Sequence, residues 1–494
     1  MPRRDPSVPL IYATVVVSGA SVMVLEILAP RLLGPVYGSG AQVWAAVISV
    51  TLAALAAGYW LGGQVADRWP RATVFHAFVV LAAIAVIAVH GMAGAVAEAC
   101  ATLGLRGGVI VSTVLIFGPA LVLLATLTPL ACRVHPGHAE RTGRTVGRLY
   151  AVSTLGSVAG ALLAGFVLLP AWPISRSLLG TGLLLAVVGV TGLVIDWRKS
   201  AVAVAAVALA VGLAPSPAAP ASGVTVVRDE QTVYHRIQTL DTEEERLLLM
   251  DGALHTHIST IRTLDPVLCE YARAVELIPI LRPEARRFLL IGCGGGAMLR
   301  VLEDEGRTFD VVDVDEAVLN AAREDFGAGV EGARFIVADG RRFLRQGDRW
   351  DVILLDVVST DAMPEHLCTV EFFRELRKHL TEDGVLFMNS IGRLQGRVLD
   401  ALGATLADVF PERLAVNAHV EASSTNVLWF CSSQPLVLND WARAAYRHRF
   451  LDPPGGGLVL TDDYNPINAW NADLGLEMRA DLQKTLGRAV LRAR

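Results

Sequence analysis

Two hydrophobic rhythms divide the chain. From residue 9 to residue 213 long apolar runs follow one another, and from residue 223 short apolar runs alternate with charged stretches. The runs 9–29, 42–62, 73–96, 108–130, 150–169 and 178–195 approach the ~20 residues that a helix needs to cross a bilayer's hydrocarbon core. A seventh, 201–213, is short and mainly Ala and Val. The pattern predicts a transmembrane domain of six or seven helices over 1–214. The Pro- and Ala-rich segment 215–222, PSPAAPAS, follows as a stiff linker.

The second half predicts an α/β domain. Apolar and polar residues alternate over 224–254 around Asp251-Gly252, as in a small β-hairpin region. Residues 273–281 have helical spacing, so 223–280 form a first part and 281–494 the main domain. The run 287–291, RFLLI, fits a buried parallel strand and leads into Gly292-Cys293-Gly294-Gly295-Gly296, then a helix over 297–303. Such a turn lets the backbone approach a nucleotide and aims helix amides at it. Further strands over 309–315, 334–337 and 350–355 end at Asp313 with Asp315, at Asp339-Gly340 and at Asp356, and 384–388 makes a fifth. Acids closing three successive strands after a glycine turn describe a doubly wound sheet with its ligand at the strand carboxyl ends. Asp313 is placed for ribose hydroxyls and Asp339 for an adenine edge. The turn lacks the spaced GxGxxG of dinucleotide folds, so a single adenosyl ligand fits better.

Composition sharpens the division. The 494 residues are 53% hydrophobic and 18% charged, against about 25% charged in an ordinary soluble domain. A net charge of −5 excludes a general nucleic-acid binder. Six scattered cysteines show neither CxxC pairs nor zinc spacing, so no metal is expected. Loop charges set Arg3, Arg4, Arg68, Arg71, Arg133, Arg141, Arg144, Arg148, Arg198 and Lys199 against Arg31, Arg106 and Arg176, ten to three, with the amino terminus cytoplasmic. The seventh span then decides the side of the second half, which stays open because adenosyl cofactors are made in the cytoplasm. Glu26 lies inside the first span, either as a functional carboxylate or near the helix end as a partner for Arg31.

These residues resemble the membrane-fused spermidine synthase-like family, a polyamine aminopropyltransferase domain joined to major-facilitator-like helices. On the membrane side the resemblance rests on Glu26, Tyr37-Gly38-Ser39, Trp44 and the GGQVADR segment from Gly62 to Arg68, expected as an interhelical loop. On the soluble side it rests on the glycine turn, VVDVDEAVL at 311–319, Ala338-Asp339-Gly340-Arg341, the stretch from Asp356 through Asp361 to Thr369, and LTDDYNP at 460–466. It implies a multi-pass α-helical membrane domain in the cell membrane, followed by an α/β Rossmann-like S-adenosylmethionine-dependent transferase domain. By resemblance, Gly292, Gly294, Gly296, Asp313, Asp339, Gly340 and His235 bind decarboxylated S-adenosylmethionine. Asp356 is the proton acceptor, and Asp361, Tyr234 and Asp462 are candidates for a small-molecule amine. Membrane lipid is an expected partner and a homodimer the candidate assembly.

The chain also departs from that family. Gly295 stands where an acid usually holds the donor's amine, and Ser359 where a second Asp is usual, with Asp361 two residues on. Tyr271-Ala272 replaces a Tyr-His pair and His235 a glutamine. Asp361, His366, Asp462 and Asp463 offer a rebuilt acidic amine pocket, against a solvated turn for Asp462 and Asp463, a loop histidine for His366 and a core aromatic for Tyr234. Three functions stay open: aminopropyl transfer to putrescine, methyl transfer from S-adenosylmethionine to a membrane-proximal acceptor, and a non-catalytic polyamine- or nucleotide-binding transporter or sensor.

Overall fold

The computed structural model describes residues 7–38, 40–136, 142–197, 207–208, 211, 223–261, 267–345, 347–357, 363–419, 424–453 and 456–486. The chain divides into two compact units with the break between residues 219 and 220. The expected linker lies outside the described residues, as does most of the seventh apolar run.

The first unit contains α1 (Val8–Tyr37), α2 (Ala41–Arg68), α3 (Ala72–Cys100), α4 (Gly104–Val134), α5 (Thr142–Leu163) and α6 (Ile174–Trp197). Five helical stretches among the described residues are long and apolar enough to cross a membrane. The third, Ala72–Val134, comprises α3 and α4, separated by the single 3-10 turn Ala101–Leu103 and packed on each other. Tyr37 pins the end of α1 to both, its hydroxyl donating to the Ala97 carbonyl at 2.8 Å and lying 2.8 Å from Ser112 Oγ. Glu26 sits half-buried within α1.

The segment Gly62 to Arg68, expected as a loop, is instead the end of α2. A Cβ on Gly62 would lie 2.8 Å from the Thr126 backbone of α4, so the missing side chain lets the two helices touch there. α2 continues past its apolar run to Arg68, and the close approach at Gly62 is what small residues allow at membrane helix interfaces.

The second unit holds two sheets. The first is antiparallel, with β1 (Thr225–Gln231), β2 (Arg236–Asp241), β3 (Glu245–Met250) and β4 (Ala253–Ser259) in sequential order. It is a larger element than the expected hairpin region. β3 and β4 are joined by Asp251-Gly252 with φ of 48° and 73°, the two positive values that a two-residue hairpin turn needs.

The second sheet uses β5 (Arg287–Ile291), β6 (Thr308–Asp313), β7 (Ala333–Val337), β8 (Trp350–Leu355), β9 (Leu380–Arg393), β10 (Glu412–Asn417), β11 (Ser424–Ser432) and β12 (Phe450–Leu451). Their order is β12-β10-β11-β9-β8-β5-β6-β7. The five strands from β9 to β7 run parallel, and β11, β10 and β12 complete the sheet antiparallel. Successive residues of the central strands enter opposite cores. Phe288, Leu290, Val352 and Leu354 pack on one face, and Leu289, Ile291, Ile353 and Leu355 on the other. This two-sided burial explains why β5 and β8 are continuous apolar runs rather than alternating ones. The region 273–281 is helical but broken, as Glu270–Arg273, a 3-10 stretch Ala274–Leu277 and Ile278–Leu281.

Candidate active site

The chain leaves β5 for β6 on one side and returns as β8 on the other, so strand order reverses between β5 and β8. A crevice opens at such a reversal, at the strand carboxyl ends. The glycine turn occupies it. Gly292 is held between neighbours, its N–H donating to the Val312 carbonyl at 2.8 Å while Asp356 N–H donates to the Ile291 carbonyl at 2.8 Å. Its φ is 85°, and a Cβ there would run into the Asp356 backbone, so only glycine fits.

Asp313, at the end of β6, is drawn onto this turn. It accepts the Cys293 N–H at 2.9 Å and the Asp315 N–H at 3.0 Å. Burial holds its carboxyl above the ordinary range against the pull of those two amides. Asp315 is 3% exposed. It caps the helix Glu316–Glu324 through the Ala317 N–H, and it accepts the Thr232 hydroxyl at 2.5 Å. Thr232 also takes the N–H groups of Tyr234 and His235. This small polar turn therefore brings the β1–β2 connection to the end of β6, with His235 Nδ1 3.9 Å from Asp315. Sequence reasoning missed Thr232, whose signal is a hydroxyl residue three before His235 in a strand-to-strand turn.

Asp356 follows β8. Burial pushes its carboxyl up to about 6, the Asn389 amide pulls it down, and the charge on Asp313 adds to the rise. Asn389 is 3% exposed and donates to Asp356 Oδ1 at 2.8 Å. A carboxylate half-titrated near 6 is mostly ionised at neutral pH yet basic enough to take a proton.

β4 closes the crevice opposite. Thr256, 1% exposed, accepts the Gly295 N–H through Oγ1 at 2.9 Å. A Cβ on Gly295 would come within 2.7 Å of Thr256 Cγ2. Tyr271 donates to the His255 carbonyl at 3.0 Å, and burial beside Asp356 drives its hydroxyl well above the ordinary range. The Gly295 departure is therefore matched by a neutral side chain filling the space.

At the outer edge, Asp339 caps the helix Gly340–Leu344 through the Arg342 N–H at 2.8 Å and meets His366 Nε2 at 3.0 Å. Although burial pushes Asp339 up, those two contacts leave it below the ordinary range. Asp462 is engaged by the guanidinium of Arg341 in two bonds of 2.8 Å and by the Thr369 hydroxyl at 2.7 Å. Its first contacts are thus structural. Tyr234 is exposed on the β1–β2 turn. Asp361 and Ser359 lie outside the described residues. Among the described residues no group of three His, Cys, Asp or Glu is disposed to hold a metal ion.

The family model described as "Spermine/spermidine synthase domain" matches residues 270–435. The carboxy-terminal unit is an aminopropyltransferase-type enzyme domain. It is similar to the polyamine aminopropyltransferase of Vibrio vulnificus, 26% identical over 222 residues, which cover 43% of this chain and 74% of that protein. A polyamine aminopropyltransferase of Streptococcus pneumoniae is 33% identical over 162 residues, 31% of this chain and 54% of that protein. A probable polyamine aminopropyl transferase of Bifidobacterium longum is 26% identical, with 40% of this chain against 45% of that protein. The last two matches span only about half of those proteins. A probable spermidine synthase from Corynebacterium glutamicum superposes with a TM-score of 0.43 at 19% identity, over 49% of this chain and 97% of its own. The spermidine synthase of Thermotoga maritima gives 0.37 at 18% identity, over 53% and 87%.

Proposed function

We propose that the carboxy-terminal unit transfers an aminopropyl group from decarboxylated S-adenosylmethionine to putrescine, releasing spermidine and methylthioadenosine, and that the amino-terminal helices anchor it in a cell membrane. The observation that carries this is Asp356, a carboxylate with its carboxyl raised to about 6, held at the strand reversal beside the glycine turn and Asp313. An alkylamine is an ammonium ion in water and cannot attack. Asp356 holds the ammonium and takes its proton as the nitrogen lone pair attacks the carbon next to the sulfonium. The C–N bond forms, the C–S bond breaks, and the electron pair stays on sulfur. The sulfonium leaves readily, so positioning supplies most of the remaining acceleration.

In this scheme Gly292, Gly294 and Gly296 give the backbone approach to the donor, Asp313 takes the ribose hydroxyls with His235 nearby, and Asp339 with Gly340 meets adenine. Asp361, Tyr234 and Asp462 remain proposals for the amine side, and Asp462 serves there only if it exchanges Arg341 for substrate. A homodimer and bound lipid also remain proposals.

Thr256 against Gly295 favours a second scheme. With no acid at the donor's tail, intact S-adenosylmethionine is a candidate donor and methyl transfer the reaction. Full-length protein incubated with putrescine and each donor separates the two by mass spectrometry. Spermidine formed only from the decarboxylated donor, and lost in Asp356→Asn, supports the first scheme, and a methylated product overturns it. Saturable adenosyl binding with no turnover supports the non-catalytic reading. Protease accessibility in intact cells places residues 224–494 on one side of the membrane.

A further inference from the structure

Two asparagines, the buried Asn389 on β9 and the half-buried Asn426 on β11, lie in one line with Asp356. Asn389 Nδ2 donates to Asp356 Oδ1 at 2.8 Å, and Asn426 Nδ2 donates to Asn389 Oδ1 at 2.9 Å. An ionised carboxylate accepts only, so Asn389 has to turn its amino group toward Asp356. Its carbonyl then faces Asn426, which has to turn its own amino group inward. One orientation satisfies the whole line: flipping Asn389 breaks both bonds, and flipping Asn426 breaks the one between them.

We propose that Asn426 is a positioning residue for Asp356, acting through Asn389 to keep an amide donor on Asp356 Oδ1 so that Oδ2 alone is offered to the incoming amine. Apolar residues are the expected occupants of such sites, since a buried amide is destabilising unless it is bonded. β9 and β11 also bury Ser390 and Thr425, each with a bond to a nearby carbonyl, but the bonds of Asn389 and Asn426 lead to Asp356, which gives that pair a purpose beyond packing. The other titratable groups that feel Asp356 are Asp313 after β6, Cys293 in the glycine turn, and Cys269 with Tyr271 ahead of β5. None of them donates a hydrogen bond to it in the structure, so the asparagine line supplies the donor. This role rests on the aminopropyl-transfer scheme for its catalytic meaning, though not for its measurement.

The test measures the titration of Asp356 in the full-length protein by isotope-edited infrared difference spectroscopy, with Asp356→Asn as the blank, alongside the pH profile of spermidine formation. Asn426→Leu removes the outer donor and frees Asn389 to flip, and Asn426→Asp, once ionised, repels the Asn389 carbonyl and turns it toward Asp356. Both are expected to raise the Asp356 midpoint by about one unit, the usual scale for a lost hydrogen bond to a carboxylate, and to move the acidic limb of the rate profile with it. Asn426→Thr, which keeps a hydroxyl donor and suits a strand, should stay close to the unmodified midpoint. Midpoints of the Leu and Asp variants that coincide with the unmodified protein overturn the proposal. A shifted titration in a protein that makes no spermidine upholds the asparagine line and rejects the aminopropyl-transfer scheme, so the two failures are distinguishable.

Discussion

Thr256 Oγ1 accepts the Gly295 N–H at 2.9 Å, with Thr256 Cγ2 standing where a side chain at residue 295 would have to begin. The antiparallel sheet and the glycine turn are fitted to each other at this contact. Gly295→Ala is expected to lower stability by about 1–3 kcal/mol, the usual range for overpacking a filled site. Thr256→Ser removes the interfering methyl and should recover part of that loss. A double-mutant cycle by denaturant unfolding checks it, with a coupling energy above ~0.5 kcal/mol expected for touching residues.

Asp356→Asn should reduce spermidine formation by about 10²–10⁴-fold, the range for removal of a general base, while methylthioadenosine binding by calorimetry changes little. In the unmodified protein the rate should fall as pH drops through about 6, because the carboxylate is then protonated.

The same residue makes a stability prediction of opposite appearance. Asp356 titrates near 6 in the fold against 3.8 for the ordinary group. Its ionised form is therefore disfavoured by folding, fully so above pH 6 and not at all below 3.8. That difference amounts to roughly 3 kcal/mol at 1.36 per pH unit. Asp356→Asn should thus be more stable than the parent at pH 7, with the gain shrinking as pH falls toward 4 in paired melting curves.

Thr232→Val keeps the shape but removes the hydroxyl that Asp315 accepts at 2.5 Å. A buried acceptor left without its donor is destabilised by about 1–3 kcal/mol. Weaker methylthioadenosine binding is expected with it, since the corner proposed for the ribose loses its brace, and calorimetry on the variant reads both effects.

Arg341→Lys retains the charge but not the two-bond fork to Asp462, whose carboxyl Arg341 holds below the ordinary range. A several-fold rise in donor KM with little change in kcat is the expected outcome, because Arg341 also touches the His366 carbonyl beside Asp339.

Much of this was legible in the chain. The glycine turn, Asp313, Asp339 and Asp356 are local signals, because a strand, a turn and a terminal acid are adjacent in sequence. Thr256, Asn389 and Asn426 were not legible, since each acts across strands separated by dozens of residues and none belongs to a motif. The Gly62 to Arg68 segment misled for the same reason. Its glycine pair and charges read locally as a turn, whereas Gly62 is a packing contact with Thr126 on α4 inside a continuing helix, and local sequence carries no trace of that partner.

The two-residue turn at Asp251-Gly252 governs more than a hairpin. β4 carries one extra residue past that turn, with Leu254 opposite Leu249 and Thr256 opposite Leu248, so the turn and the bulge at His255 together bring Thr256, and not His255 or His257, against Gly295. Losing either device would change which β4 side chain stands beside the glycine turn.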